Sequence, residues 1–177
     1  GTLDFKSFYG FQGLSFFAVP IYWLTHSHIS IIIASMIFSL LSIPLAYAIG
    51  KMVSDTLFGG YLGVVLFLLT PYPYVTMLRG FQDAALLFFI LLIIYGALEK
   101  KPWTGLAWGI GSIVKPFSLV LAPLFLRKGM RKIEIWFLAL GMCAGIAYGI
   151  GNYTQTGHFV TLAATGAYSG TFDAGHI

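Results

Sequence analysis

Charged residues are scarce in this chain. Asp, Glu, Lys and Arg make up 9% of its 177 residues, whereas hydrophobic residues make up 58% and the mean hydropathy is +0.87. A soluble domain carries about 25% charged residues, so this composition excludes an ordinary water-soluble domain and predicts an integral membrane protein. The net charge of +4 is small and clustered, which is typical of loops beside membrane helices and disfavours a nucleic-acid-binding surface.

Cysteine and metal ligands are also nearly absent. Cys143 is the single cysteine, so no disulfide bond can form within the chain. His26 and His28 form a His-x-His pair, but no third ligand is nearby, and an interfacial turn is the simpler interpretation. No phosphate-cradling loop is visible, which disfavours a nucleotide-sugar substrate. We therefore expect no cofactor; a divalent metal is an alternative that no motif supports.

Long apolar segments dominate the chain and predict an all-α fold, a polytopic bundle of transmembrane helices. Residues 1–28, with Pro20 interrupting a short apolar piece, are expected to form an extracytoplasmic or interfacial loop. Residues 29–151 hold the membrane helices, and 152–177 form an extracytoplasmic loop or tail. We expect one transmembrane domain over 1–177, a fragment of a longer bundle because Gly1 is not an initiator methionine. The clear spans are predicted at 29–50, 57–75, 83–98 and 133–150.

The segment 103–126 has two interpretations. It is long enough to cross a membrane once, but Lys115-Pro116 divides it into halves about 15–18 Å long, well short of the ~30 Å hydrocarbon core. A single crossing would separate the two lysines before the segment from the basic cluster 127–132. A hairpin that enters and returns instead places seven of the ten basic residues on the cytoplasmic side. Because cytoplasmic loops carry the excess of lysine and arginine, we predict a re-entrant hairpin of two short helices.

Two charges lie in places that are costly in a membrane. Asp83 heads an apolar segment and Lys115 interrupts the next one, and such charges usually belong to a functional site. With the hairpin, we expect Asp4, Arg79, Asp83 and Lys115 to converge on one extracytoplasmic cavity, with Gln82 as a further substrate-binding residue. Structural roles stay open beside these functions: a helix cap for Asp83, a snorkelling side chain for Lys115 and an interfacial anchor for Arg79.

A resemblance to a family rests on this same region. Asp83 at the head of a span, the basic turn after it, and a Gly-rich run from Gly105 to Lys115-Pro116 resemble the GT-C membrane glycosyltransferases. The similarity covers about residues 1–150 and is greatest to bacterial and archaeal members that resemble protein O-mannosyltransferases and lipid A aminoarabinose transferases. In these proteins a "G-x-x-x-G-x-x-x-x-x-K" helix follows an "x-D-x-x" helix.

The resemblance implies a bundle of many spans with an active site on the extracytoplasmic face. It implies Asp4 as the acidic residue of the first loop, the catalytic base, although Phe5 follows where the family has a second acid. It also implies Asp83 as the family's second acidic residue, which lines the acceptor or donor site, and we take Asp83 as the second catalytic candidate for the base. The implied reaction is the transfer of a sugar from a polyprenyl-phosphate donor to an acceptor hydroxyl with inversion. Lys115, Arg79 and Gln82 would bind the substrate.

The implied partners are the bilayer, the lipid-linked sugar, a glycan, lipid or protein acceptor, and other membrane proteins. The implied location is the inner or plasma membrane, or the endoplasmic reticulum membrane in a eukaryote. A non-catalytic GT-C-like membrane subunit and a lipid or small-molecule transporter remain alternative functions.

Overall fold

The computed structural model describes residues 13–27, 29–71, 74, 83–115, 118, 120–122 and 132–156. Over these residues the chain is helical without strands, so the all-α prediction is confirmed for this part of the protein. The helices are α1 (Gly13–Thr25), α2 (Ile29–Ser54), α3 (Leu57–Leu69), α4 (Asp83–Leu98), α5 (Thr104–Val114) and α6 (Lys132–Thr156).

The boundaries of α3 and α4 follow local sequence signals. α4 occupies the predicted range Asp83–Leu98, and α3 begins at the predicted Leu57. α3 ends before the predicted Val75, because Thr70 leaves the helix with a ψ of 124°. Thr70 precedes Pro71, and a proline ring disfavours helical geometry in the residue before it. The helix that results is about 20 Å long at 1.5 Å per residue.

The N-terminal region differs from its prediction. Residues 13–25, expected to be part of a loop, form α1, and Pro20 does not interrupt this helix. Leu14 and Ala18 of α1 are buried in the main apolar core. Burial of this face offsets the backbone hydrogen bond that a proline inside a helix removes, which the local sequence does not reveal.

The main core lies between α1, α2 and α4. The ring of Phe38 in α2 meets Phe17 of α1 edge-on, with 5.0 Å between centroids, and lies 5.9 Å from the ring of Phe89 in α4. α3 also packs against α2, α5 packs against α4, and α6 packs against α5. The order of neighbours is therefore α3, α2, α4, α5 and α6, with α1 against α2. The remaining buried members of this core are Leu14, Ala18, Ala34, Ala85, Leu86 and Val114.

The contacts along α4, α5 and α6 fix the direction of each helix. α4 and α5 are antiparallel, since positions late in α4 meet positions early in α5 and the reverse. α5 and α6 are parallel, since their contacts advance together along both helices. The antiparallel pairs are Gly96 with Thr104, Phe89 with Gly111, and Asp83 with Lys115. The parallel pairs are Gly105 with Leu138, Gly109 with Gly141, and Ser112 with Gly145.

Two parallel helices that follow each other require the chain to turn back between them. The turn begins at Lys115, which is extended with φ of −159° and ψ of 131°. Ser118 then lies beside Gly111, and Leu121 packs against Ala107 and its neighbours, so the chain descends along the helix it has just left. The starts of α5 and α6 consequently lie at one end of the bundle.

This geometry defines two ends of the α4–α5–α6 layer. The basic end carries Glu99 and Lys101 between α4 and α5, and Lys132 at the start of α6. The Asp83 end carries Asp83 at the start of α4 and Lys115 at the end of α5.

α2 is the helix that meets both the length and the hydropathy expected of a membrane span, among the residues that the structure describes. It has 26 residues and a mean hydropathy of 2.3 over its most apolar window. α3, α4 and α5 are shorter apolar helices. Large apolar side chains are exposed on the outer faces of several helices, among them Leu40 and Leu41 of α2, Leu66 and Leu69 of α3, and Trp136 and Leu140 of α6.

Candidate functional site

An ion pair between two helices forms the centre of the candidate site. The Lys115 Nζ donates a hydrogen bond to Asp83 Oδ1 at a distance of 2.5 Å. The two residues are 32 positions apart in the chain, and the antiparallel packing of α4 and α5 brings them together. The side chains of Lys115 and Asp83 are 27% and 21% exposed, so each charge is partly removed from solvent yet open on one side.

Both charges suit the helix ends on which they sit. Asp83 lies in the first turn of α4, and Lys115 is the C-terminal cap of α5. A helix carries a partial positive charge at its N-terminus and a partial negative charge at its C-terminus, so an acid at the first and a cation at the second are favourable. The helix dipoles therefore stabilise the positions of the two charges in addition to their mutual attraction.

The turn after α5 holds the lysine in place through backbone contacts. The Lys115 amide donates to the Gly111 carbonyl at 3.0 Å, and the Lys115 carbonyl accepts from the Ser118 amide at 3.3 Å. The Trp108 indole N–H donates to the Ser118 carbonyl at 2.9 Å. Since Ser118 is fully buried, the start of the returning chain is fixed against α5, and Lys115 remains at the tip of the reversal.

The pair sits directly above the apolar core. Asp83 is followed by Ala84 and Ala85, and Lys115 is preceded by Val114; these three side chains are buried. Leu14 of α1 belongs to the same core cluster as Ala85 and Val114. The two charges therefore border a buried apolar core on one side, where electrostatic interactions are stronger than in bulk water. On the other side, part of each side chain is accessible to solvent.

The structure places two of the five candidate residues, and these two are in contact. Asp83 and Lys115 form the ion pair described above. The remaining candidates Asp4, Arg79 and Gln82 lie outside the described residues. The expected meeting of all these side chains in one cavity accordingly stays a prediction.

Two features near these helices did not emerge from the sequence. Trp108, which lies within the Gly-rich run, anchors the turn through Ser118. Glu134, in the first turn of α6, is buried with 6% of its surface exposed. The position of Glu134 just after the basic run 127–132 could have drawn attention to it as a partner for those charges. The contact of Trp108 could not have been found in this way, because it depends on the chain reversal.

The described part of the chain gives no separate indication of a metal. No three His, Cys, Asp or Glu side chains there lie close enough together to hold an ion. What the site offers is one carboxylate and one ammonium group, which suit proton acceptance and anion binding.

Comparison of the chain with protein-family models, with curated proteins and with solved structures gives no match. The resemblance to the GT-C glycosyltransferases stays a prediction from the residues themselves.

Proposed function

We propose that the protein is a membrane glycosyltransferase that moves a sugar from a polyprenyl-phosphate donor to an acceptor hydroxyl on the extracytoplasmic face. The observation that carries this proposal is the ion pair of Asp83 and Lys115, two partly exposed charges above an apolar floor. The reaction needs a carboxylate that accepts a proton and a cation that meets a phosphate. Both groups are present within one hydrogen bond of each other.

The proposal includes a polytopic bundle with a re-entrant hairpin at 103–126. The parallel packing of α5 and α6 supports this hairpin, because it requires the chain to return after Lys115. The exposed apolar side chains on the outer helix faces support contact with lipid, since soluble monomers rarely expose large contiguous apolar surfaces. With the basic end in the cytoplasm, the Asp83 end faces the extracytoplasmic side, where lipid-linked sugars present their headgroups at the interface.

The proposed reaction is a single displacement. The acceptor hydroxyl oxygen forms a bond to the anomeric carbon of the sugar while the bond from that carbon to the phosphate oxygen breaks. The hydroxyl proton passes to a carboxylate, Asp83 or Asp4, and the bonding electron pair leaves with the phosphate. Lys115, aided by Arg79 and Gln82, stabilises the charge that develops on the leaving phosphate. A single displacement inverts the configuration at the sugar carbon.

The test is a transfer assay with the protein in lipid nanodiscs and a panel of polyprenyl-phosphate sugars, with released polyprenyl phosphate as the readout. Asp83→Asn should lower the rate by about 10²–10⁴-fold, the usual contribution of a general base. Lys115→Gln should lower it by about 10²–10³-fold, as for the loss of one group that stabilises developing charge.

Glu99→Gln provides the matched control, since Glu99 forms a carboxylate–lysine pair with Lys101 at the basic end and should retain the full rate. Undiminished transfer by both Asp83→Asn and Asp4→Asn would refute the assignment of the base. Absence of transfer from every donor by the unaltered protein would favour the non-catalytic membrane subunit instead.

A further inference from the structure

We infer that Asp83 and the phosphate of a lipid-linked substrate compete for Lys115, so that phosphate binding releases the Asp83 carboxylate from its ion pair. This inference rests on the proposed function and adds a regulatory step to that site. It makes Asp83 a group whose availability depends on the occupancy of Lys115, in addition to its role as a candidate base.

The geometry supports competition because the pair is close and joins two separate elements. Lys115 Nζ lies 2.5 Å from Asp83 Oδ1, so a phosphate oxygen that bonds to the same ammonium group comes within a few ångströms of the carboxylate. Two anions at that distance repel each other, particularly beside a dry core where screening is weak. The repulsion favours movement of the carboxylate away from Lys115.

The exposure of the pair gives the phosphate a way to reach the ammonium group. About a quarter of each side chain remains accessible, so the phosphate can approach Lys115 without prior unfolding of α4 or α5. The backbone of Lys115 is held by Gly111 and Ser118, and Asp83 lies in the first turn of α4. Rotation about the Asp83 side-chain torsions is enough to carry the carboxylate away from the ammonium group.

The exchange orders the steps of the proposed reaction. While Asp83 holds Lys115, its carboxylate is occupied by the ammonium group and is turned away from an acceptor hydroxyl. Once phosphate takes the lysine, the carboxylate is released beside the bound donor and can accept the proton of the acceptor hydroxyl. The leaving phosphate carries more negative charge than the donor diester, so the exchange is strongest as the sugar departs.

The test measures binding of farnesyl phosphate to the protein in nanodiscs, with farnesol as the neutral probe of tail binding. Asp83→Asn removes the competing charge and should tighten farnesyl phosphate binding about threefold to tenfold, where tenfold corresponds to ~1.4 kcal/mol. Lys115→Gln should weaken it about tenfold, and the double variant should match Lys115→Gln. Glu99→Gln should bind as the unaltered protein does. Binding of farnesol should be the same in all variants.

Competition with inorganic phosphate tests whether the site recognises a free phosphate or the headgroup of a lipid-linked phosphate. If it displaces farnesyl phosphate at millimolar concentration, the site recognises phosphate as such; if it does not, the site recognises a lipid headgroup. Either result agrees with competition at Lys115, provided that Asp83→Asn tightens the binding of the ligand recognised. Asp83→Ser serves as a second neutral variant should the Asn protein elute as an aggregate, because serine is also favourable at a helix N-terminus.

The outcomes distinguish this inference from the proposed function. Weaker binding by Lys115→Gln together with unchanged or weaker binding by Asp83→Asn would overturn the competition and leave the phosphate site standing. Equal affinity of the unaltered protein for farnesyl phosphate and farnesol, with no effect of Lys115→Gln, would overturn the phosphate site and the competition together.

Discussion

The two ends of the α4–α5–α6 layer each carry a carboxylate–lysine pair, and the pairs differ in distance, in exposure and in the separation of their residues along the chain. At the Asp83 end, the atoms of Asp83 and Lys115 are 2.5 Å apart and join two helices. At the basic end, Glu99 and Lys101 are 3.5 Å apart within one turn, with side chains 38% and 42% exposed. The first pair depends on the packing of two helices, whereas the second joins residues two positions apart in the chain.

The difference between the pairs separates a charge pair that requires tertiary packing from one that forms between near neighbours, and only the first indicates a functional site. An exposed pair of near neighbours contributes little, because water screens it and both side chains lose freedom in forming it. A pair that bridges helices above a core requires packing to place it, and it is sensitive to any group that enters the same space.

The largest effect concerns the proposed membrane topology, in which the two ends lie on opposite sides of the bilayer. In a Cys143→Ser background, Lys101→Cys and Lys132→Cys should both react with a membrane-impermeant maleimide from the cytoplasmic side alone. The reason is that α5 and α6 are parallel, so their starts share one end. In the proposed topology α3 starts on the cytoplasmic side, after the turn at 55–56, and ends on the other side, so Thr70→Cys should react from that other side alone. Labelling is measured by mass shift on gels of intact cells and of inverted vesicles.

Labelling of Lys101→Cys and Lys132→Cys from opposite sides would contradict both the chain reversal and the re-entrant hairpin. The Cys143→Ser protein controls for reaction of the reagent at sites other than the introduced cysteine, because its only native cysteine has been removed.

The second prediction tests the close backbone contact between α5 and α6. A Cβ added at Gly109 would collide with the backbone of Gly141, which cannot rotate away as a side chain can. Gly109→Ala should therefore destabilise the protein by about 1–3 kcal/mol, as overpacking does, despite the better helix propensity of alanine. The melting temperature in detergent, followed by the loss of monodisperse protein, provides the measurement.

Gly145→Ala is the matched control on the same helix pair. Its added Cβ would lie 3.3 Å from the Ser112 Oγ, a side-chain atom that can shift. Since alanine is the better helix former, the change in stability should be within ~0.5 kcal/mol of zero or slightly favourable. Equal losses at Gly109 and Gly145 would contradict the close backbone contact.

The boundaries of several helices can be predicted from local sequence. Asp83 and Leu98 bound an apolar run that the polar turn at 99–101 ends, and the helix has those limits. The break at Lys115 is similarly visible, because a lysine before a proline does not continue an apolar helix. Signals of this kind act on neighbouring residues, and the sequence displays them directly.

The parts that sequence did not reveal depend on long-range packing. α1 forms through Pro20 because Leu14 and Ala18 are buried in the core, and this burial is set by partners from α2 and α4. The expectation that Asp83 and Lys115 share one side came from a count of charges over the whole chain. Their direct contact depends on the register of α4 against α5, which single-residue patterns do not specify.

The third prediction measures the coupling of the inter-helix pair. A double-mutant cycle of Asp83→Asn and Lys115→Gln, read from melting temperatures and from unfolding in mixed detergent, should give a coupling of about 1 kcal/mol in favour of the pair. This is the upper part of the range for partly exposed pairs, because the core below reduces screening. Since helix-dipole effects of each residue occur in the single variants, the cycle isolates the contact itself. A coupling of zero would show that the dipoles alone hold the two charges.

The smallest effect belongs to the pair at the basic end. The same cycle with Glu99→Gln and Lys101→Gln should give a coupling below ~0.5 kcal/mol, because these side chains are more exposed and their charged atoms are farther apart. The comparison is informative because both cycles neutralise one carboxylate and one lysine in the same protein under the same detergent. Raising the salt concentration from 0.05 to 0.5 M shortens the Debye length from about 14 Å to about 4 Å. If this change abolished both couplings equally, the two pairs would be electrostatically equivalent. A coupling that persists at Asp83–Lys115 and vanishes at Glu99–Lys101 would instead show that the fold shields the inter-helix pair from salt. The same weak screening would strengthen the attraction between Lys115 and a phosphate that enters the site.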